Sequence, residues 1–220
     1  MSLVLFDLDG TLVDSRAGIV TAVNATLRSL GEPVRPAREL ERGIGPPLHE
    51  TFGALLAHRR LDAAALDAVV EDYRARYAVG MVAGSLVYPG IPELLDALRA
   101  AGITLAVATS KARPLARALL EGLGLAGRFA AIEGPVPPAR DDKATTVGRA
   151  LAAVGPLGGP ATMVGDRHHD VEGALAHGLR PVGVAWGFGS REELLGAGAD
   201  VVARDPGELL ALLVAPRAVR

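Results

Sequence analysis

Two carboxylates on alternate residues, Asp7 and Asp9, close a short apolar run, Leu3 to Phe6, early in the 220-residue chain. At a strand terminus such a pair repels itself unless a cation stands between the two. A solvated Asp-Gly turn is the plain alternative for Asp9-Gly10. A calcium loop of the EF-hand kind is set aside, because it needs further oxygen ligands and a late glutamate where Leu12 and Val13 follow here. A second acidic stretch, Gly165-Asp166 through Asp170, follows another apolar run, Thr162 to Val164. Asp7 and Asp166 then read as hard oxygen ligands for a magnesium ion that keeps several waters and holds a phosphate.

Two more polar pieces fall where apolar runs end: Thr109-Ser110-Lys111 after Ile103 to Ala108, and Lys143 at the opening of a helix. Of 23 basic residues only Lys111 and Lys143 are lysine. A GC-rich genome accounts for the arginine bias but not for its two exceptions. Lysine is a compact point charge and arginine a planar fork, so a site that needs the former does not readily accept the latter. Both lysines are therefore candidate site residues.

Elements must bring these pieces together. The runs Leu3 to Phe6, Ile103 to Ala108, Thr162 to Val164 and Val182 to Ala185 have the unbroken apolar character of buried parallel strands. Phe129 to Ile132 and Asp200 to Val202 are weaker strand candidates near the sheet edges. Between them Leu94, Leu95 and Leu98; Leu115, Ala118 and Leu119; Ala144, Val147, Ala150, Leu151 and Val154; and Val171, Ala174 and Leu175 keep helical spacing. The pattern is that of an α/β protein, a Rossmann-like parallel sheet with helices on both faces. The polar pieces would converge on one rim, at the carboxyl ends of the strands.

Nearly one hundred residues separate the first two strands, where a crossover needs about a dozen. Residues 14–85 carry helical periods (Val20, Val23, Leu27 and Leu30; Leu48, Phe52, Leu55 and Leu56; Leu66, Val69, Val70, Tyr73 and Tyr77) and no strand signal. This segment is expected to be an inserted all-helical cap domain. The catalytic core is then 1–13 and 86–220, with the insert at the ligand-binding edge in position to act as a lid.

Composition narrows the partners. Half the residues are apolar, and no run approaches the roughly 18 residues that cross a bilayer. The amino terminus lacks the features of a secretory signal, so a cytoplasmic location is expected by default. Without cysteine there is no disulfide, thiolate zinc site or cysteine nucleophile. A formal charge of −2 with no block of like charges recommends neither a nucleic-acid polymer nor a membrane surface. The expected partner is a small molecule, with the chain a monomer or homodimer.

Asp7-Leu8-Asp9-Gly10-Thr11-Leu12-Val13-Asp14-Ser15 resembles the first motif of the haloacid dehalogenase superfamily, in the branch with a helical cap inserted after it. Thr109 is similar to the second motif, Lys143 to the third and Gly165-Asp166-Arg167-His168-His169-Asp170 to the fourth, in the right order. The resemblance extends to Gly183 through Ser190 and Glu192-Glu193-Leu194, and so covers essentially the whole chain. It implies a phosphatase in which Asp7 is the nucleophile and forms an aspartyl-phosphate, with Asp9 as acid and then base. It further implies that the Thr109 hydroxyl and the Ser110 N–H hold phosphate oxygens, and that Lys143 neutralises charge between nucleophile and phosphoryl group. Asp166 would ligate magnesium with Asp7 and the Asp9 carbonyl, and Asp170 would do so through water or orient Asp166.

Lys111 either helps hold substrate or caps the sheet rim. His168 and His169 invite a zinc reading, but zinc wants three or four clustered N or S ligands and these two lack company, so they are expected to be bystanders on a helix turn. His49, His58 and His177 read as surface or capping histidines, and Trp186-Gly187-Phe188 as a packed loop. Many relatives place a proline after the third-motif lysine, whereas Ala144 follows Lys143; Asp142 as a helix N-cap would still set the lysine on the first turn.

Asp9 separates the chain from the dehalogenases, which lack that second acid, and a lysine-free insert separates it from a Schiff-base phosphonate hydrolase. A sugar phosphomutase of the same superfamily and a non-enzymatic binding module remain the alternatives. The loop Gly43-Ile44-Gly45-Pro46-Pro47-Leu48 with Phe52 looks like the substrate-facing loop of phosphoglycolate phosphatase and 5'-nucleotidase-like members. Gly45 would let backbone amides approach a ligand, unless the loop is simply a helix-breaking linker.

Overall fold

A computed structural model describes residues 2–41, 43–139, 141–156 and 158–215. Met1 and residues 216–220, at the ends of the expected core segments, lie outside them. The chain divides into two compact units, one of residues 1–13 and 87–220 and the other Asp14–Leu86.

The larger unit is built on a six-stranded parallel sheet. Its strands are β1 (Leu3–Phe6), β4 (Thr104–Ala108), β5 (Ala131–Glu133), β6 (Ala161–Gly165), β7 (Arg180–Val184) and β8 (Val201–Ala203), in the order β5-β4-β1-β6-β7-β8. Residues on both faces of β1 and β4 are shielded from water, Leu3, Leu5, Ala106 and Ala108 on one side and Val4, Phe6, Leu105 and Val107 on the other. That explains the unbroken apolar runs. The first face, joined by Met163 of β6, packs against Val147 and Ala150 of α7 (Lys143–Val154) and Ala174 of α8 (His168–Ala176). Helices α5 (Ile91–Ala100), α6 (Arg113–Gly122), α9 (Arg191–Gly196) and α10 (Pro206–Val214) complete the layers.

In the register of the central strands Phe6 lies opposite both Val107 and Val164. Chain order runs from β1 outward through β4 and β5, then returns to β6 on the other flank, so the topological switch falls on both sides of β1. The residues that follow β1, β4 and β6 are thereby neighbours at a carboxyl rim, where open α/β sheets bind ligands.

Edges and faces differ in detail from the expectation. The β5 strand begins at Ala131 rather than Phe129, and β8 at Val201 rather than Asp200. Helix α6 buries Ala116, Leu119 and Leu120 instead of Leu115 and Ala118, and on α8 Leu175 faces solvent while Val171 and Ala174 are buried.

The chain leaves for the second unit through β2 (Val13–Asp14) and returns through β3 (Leu86–Val87), which pair as a two-stranded ribbon. In between lie α1 (Arg16–Ser29), α2 (Ala37–Glu41), α3 (Leu48–Leu55) and α4 (Ala63–Gly80). Asp62 caps α4 by accepting from the Ala65 N–H at 2.8 Å. Just past the end of α4, Gly84 packs against Gly18 of α1, where a Cβ on Gly84 would lie 2.7 Å from the Gly18 Cα. Phe52 meets the edge of Tyr73 at 5.5 Å, and Tyr73 stacks on Tyr77 at 5.8 Å. Phe52 is fully buried in this cluster. Its replacement by alanine should cost about 3–5 kcal/mol, read as a lowered urea midpoint for the helical unit; an unchanged midpoint would mean the aromatic cluster is not what holds these helices.

Candidate active site

Asp7 is the first residue past β1, and its N–H donates to the Val164 carbonyl at 2.9 Å, extending the ladder one step beyond the strand. Asp166 follows β6, Thr109 follows β4, and Lys143 opens α7 with Asp142 as N-cap, its carboxylate accepting from the Thr145 N–H at 2.7 Å. The cap sets the first turn at the rim. There the Lys143 ammonium stands 2.8 Å from Asp7 Oδ1 and 2.7 Å from Asp170 Oδ1, and donates to the Ala108 carbonyl at 3.2 Å. Its stem runs across Gly173, where a Cβ would lie 2.7 Å from the lysine Cγ.

Asp166 is completely buried and held from three sides. Thr11 donates its hydroxyl to Oδ1 at 3.2 Å, and the Phe188 N–H donates to Oδ2 at 2.8 Å. Glycines line the rest: a Cβ on Gly10 would lie 2.3 Å from Asp166 Oδ2, and one on Gly187 2.2 Å from its Cβ. Trp186 fastens this loop by donating its indole N–H to the Thr11 carbonyl at 3.0 Å. Thr11 and the 186–189 loop thus belong to the site, although sequence reasoning took the loop for simple packing. Asp170 closes a capping box on α8, accepting from the Arg167 N–H at 3.0 Å.

Donor oxygens of Asp7, Asp166 and Asp170 lie within 4.8 Å of one another, all buried. Three carboxylates facing one ammonium leave excess negative charge in a low-dielectric site. Burial pushes Asp7 up to about 6 even though Lys143 pulls it down, with the charges of Asp170 and Asp9 adding to the rise. Asp166 is raised well above the carboxylate range by burial first and by Asp170 and Asp7 second. Lys143 is desolvated too, yet the two aspartates overcome that and hold it protonated. The carboxylate oxygens of Asp7, Asp166 and Asp170 are hard donors of the kind that fit a divalent cation such as magnesium.

Asp9 and Lys111 form a second pair at the rim, Nζ to Oδ2 2.9 Å, with both side chains largely shielded. Thr109 Oγ1 accepts from the Lys111 N–H at 3.2 Å, and Ser110 lies between them, half-buried. Gly134 packs under this turn, where a Cβ would lie 2.2 Å from the Lys111 carbonyl oxygen. The rim of the larger unit thus gathers Asp7, Asp9, Thr109, Ser110, Lys111, Lys143, Asp166 and Asp170. Gly45 belongs to the helical unit, in a left-handed conformation, φ 123°, that glycine readily adopts. His49 pairs there with Asp67 at 2.8 Å, and His58 with Glu32 at 3.1 Å. His168 and His169 have a third companion the sequence did not suggest, Glu172.

Residues 4–184 match the haloacid dehalogenase-like hydrolase family, and the chain belongs to it. It is 44% identical to the tyrosine-protein kinase PtkA of Mycobacterium tuberculosis across 85% of this chain, and spans 63% of that relative's length. It is 39% identical to a 5'-nucleotidase of Pseudomonas aeruginosa, over 87% of this chain and 86% of the relative. Among solved structures, a predicted phosphatase from Clostridium acetobutylicum superposes with a TM-score of 0.89 at 34% identity, covering 97% of this chain and 98% of its own.

The raised Asp7 has a measurable consequence. Its folded value lies above its ordinary one, so the stability it confers in metal-free protein is complete below 3.8 and is lost as pH rises through about 6. The melting temperature of metal-free wild type, taken relative to Asp7→Asn, should fall across that interval. Magnesium should restore more of it at pH 7.5 than at pH 5. A difference that does not vary with pH would contradict the charge excess.

Proposed function

We propose that this protein is a magnesium-dependent phosphatase that hydrolyses a small phosphate monoester through an aspartyl-phosphate on Asp7. The observation that carries the reading is the Lys143 ammonium 2.8 Å from Asp7 Oδ1 inside a buried cluster of three carboxylates. Lysine so placed opposes the burial that raises Asp7, favouring its nucleophilic carboxylate form, and offers positive charge to an incoming phosphoryl group.

Asp7, Asp166 and Asp170, with the Asp9 carbonyl, would hold the magnesium ion, whose charge offsets both the carboxylates and the phosphate. Asp7 attacks phosphorus and the ester P–O bond breaks, while Asp9 gives its proton to the departing alkoxide. Asp9 then takes a proton from water, whose oxygen attacks the phosphorus of the aspartyl-phosphate. Inorganic phosphate leaves and the Asp7 carboxylate is regenerated. Phosphate oxygens are held by the Thr109 hydroxyl and the Ser110 N–H. Lys111, 2.9 Å from Asp9, orients that carboxylate until substrate phosphate competes for its ammonium.

In this reading residues 14–85 are the inserted cap, and Gly45 lies in its loop Gly43-Ile44-Gly45-Pro46-Pro47-Leu48. That loop's resemblance to phosphoglycolate phosphatase and 5'-nucleotidase-like proteins, together with the Pseudomonas relative's name, favours phosphoglycolate or a nucleoside 5'-monophosphate as substrate. The kinship with PtkA supports a second reading in which the same phosphorylated Asp7, charged from ATP with release of ADP, is attacked by a tyrosine hydroxyl instead of water.

Hydrolysis of p-nitrophenyl phosphate should require magnesium and fall by at least about a thousandfold in Asp7→Asn. Replacing Asp9 by asparagine should cost about 10²–10⁴-fold. Phosphoglycolate, nucleoside 5'-monophosphates and sugar phosphates then rank the substrates. No magnesium-dependent turnover on any of them sinks the phosphatase, isomerised sugar phosphate points to a mutase, and label passing from ATP to tyrosine favours the kinase reading.

A further inference from the structure

Beside the carboxylate cluster, on the outer surface of α8, the first turn presents a second group of potential ligands. His168, His169 and Glu172 offer donor atoms that all lie within 4.8 Å of one another. Helical geometry accounts for this, since Glu172 is the i+4 neighbour of His168 and the i+3 neighbour of His169. The two imidazole rings are 3.8 Å apart between centroids, and His169 Nδ1 is 3.7 Å from Glu172 Oε2. Both histidine side chains are about one-third exposed or less, while that of Glu172 is 61% exposed and free to swing toward them.

What separates this group from a chance pair of surface histidines is the support behind it. Glu193, on α9, has Oε1 2.8 Å from His168 Nδ1. The same oxygen accepts from the Arg167 Nε–H at 2.9 Å and from the His168 backbone N–H at 3.0 Å. A carboxylate facing Nδ1 puts the ring proton there and leaves the Nε2 lone pair available to a ligand. Metal-ligating histidines are commonly held by this carboxylate–imidazole arrangement.

We propose that His168, His169 and Glu172 form a binding site for a borderline divalent transition-metal ion of the zinc class, with Glu193 as the positioning residue for His168. Two imidazoles and one carboxylate are a donor set such ions accept, whereas magnesium prefers the all-oxygen cluster of Asp7, Asp166 and Asp170. The first turn of α8 thus contributes to two groups of different hardness, Asp170 to the oxygen cluster and His168, His169 and Glu172 to the mixed one. The third ligand that the sequence withheld is an oxygen three residues past His169.

Cobalt(II) is the probe, titrated into the full-length protein with magnesium in large excess to fill the carboxylate cluster. The visible cobalt spectrum should develop a band saturating at one ion per chain and disappear when zinc is added. Glu172→Gln and His169→Ala should each weaken binding at least about tenfold, and Glu193→Gln by about 10–100-fold. Circular dichroism establishes that each variant is folded, and Glu172, on the surface, can be replaced without touching the core. Absence of a magnesium-insensitive cobalt band in wild type, or undiminished binding in folded Glu172→Gln and His169→Ala, would overturn the site. The readout is metal binding, so the site and the phosphatase reading stand or fall separately.

Discussion

Burying three carboxylates around one ammonium is the constraint on which the rim of this sheet depends. Each ion taken from water costs several kcal/mol that its partner returns only when geometry and hydrogen bonds are good. Lys143 answers Asp7 and Asp170 at 2.8 and 2.7 Å, while Asp166 relies on a hydroxyl and an N–H. Those neutral donors lower its charge cost without cancelling it, which is why burial still raises Asp166 far above the carboxylate range. The site is thereby held in wait for positive charge. Such preorganisation lets a site stabilise a phosphoryl group without rearranging at the moment of reaction.

The need to hold Asp166 shapes distant parts of the chain. Gly187 is required by the carboxylate it faces, and Gly10 both by that carboxylate and by its own left-handed backbone, φ 88°, since a methyl group at either would overlap Asp166. Trp186 then ties the β7 exit to the β1 exit through the Thr11 carbonyl. In this way residues 175 positions apart in sequence, Thr11 and Trp186, are fixed by a shared obligation to one side chain.

Much of the sheet was legible because parallel strands buried on both faces carry no polar interruption, as Leu3 to Phe6 and Leu105 to Ala108 illustrate. Its edges were less so. The apolar run opens only at Val182, yet β7 begins at Arg180, and Pro181 fits because its carbonyl accepts from the Asp200 N–H at 2.9 Å on the side where pairing with β8 starts only at Val182. Proline is tolerated at the start of a strand, where no donor is missed. Leu175 kept the helical period but falls beyond the contact face of α8, where the sheet no longer covers it. At the site, charged residues at strand ends announced themselves by type. Thr11, Phe188 and Glu193 entered only as members of family-like stretches: that a threonine hydroxyl and a backbone amide would hold Asp166, and a glutamate would brace His168, became visible only once the fold aimed them. Glu172 escaped for a related reason, because the zinc pattern sought nitrogen and sulfur and this ligand is an oxygen.

The two lysines illustrate how composition can point where no spacing rule does. Arginine serves the ion pairs at the surface, where Arg128 grips Asp96 with two nitrogens, both at distances of 2.9 Å or less. Its planar fork suits that bidentate task, and its width does not suit a narrow rim where one cation must touch two carboxylates and a carbonyl. Lys143 meets Asp7, Asp170 and the Ala108 carbonyl from a single nitrogen, its stem running past Gly173, where a Cβ would lie 2.7 Å from the lysine Cγ. Lys111 reaches Asp9 in the same end-on manner. A chain whose other basic side chains are all arginine keeps lysine at the two rim positions where a single nitrogen meets a carboxylate end-on.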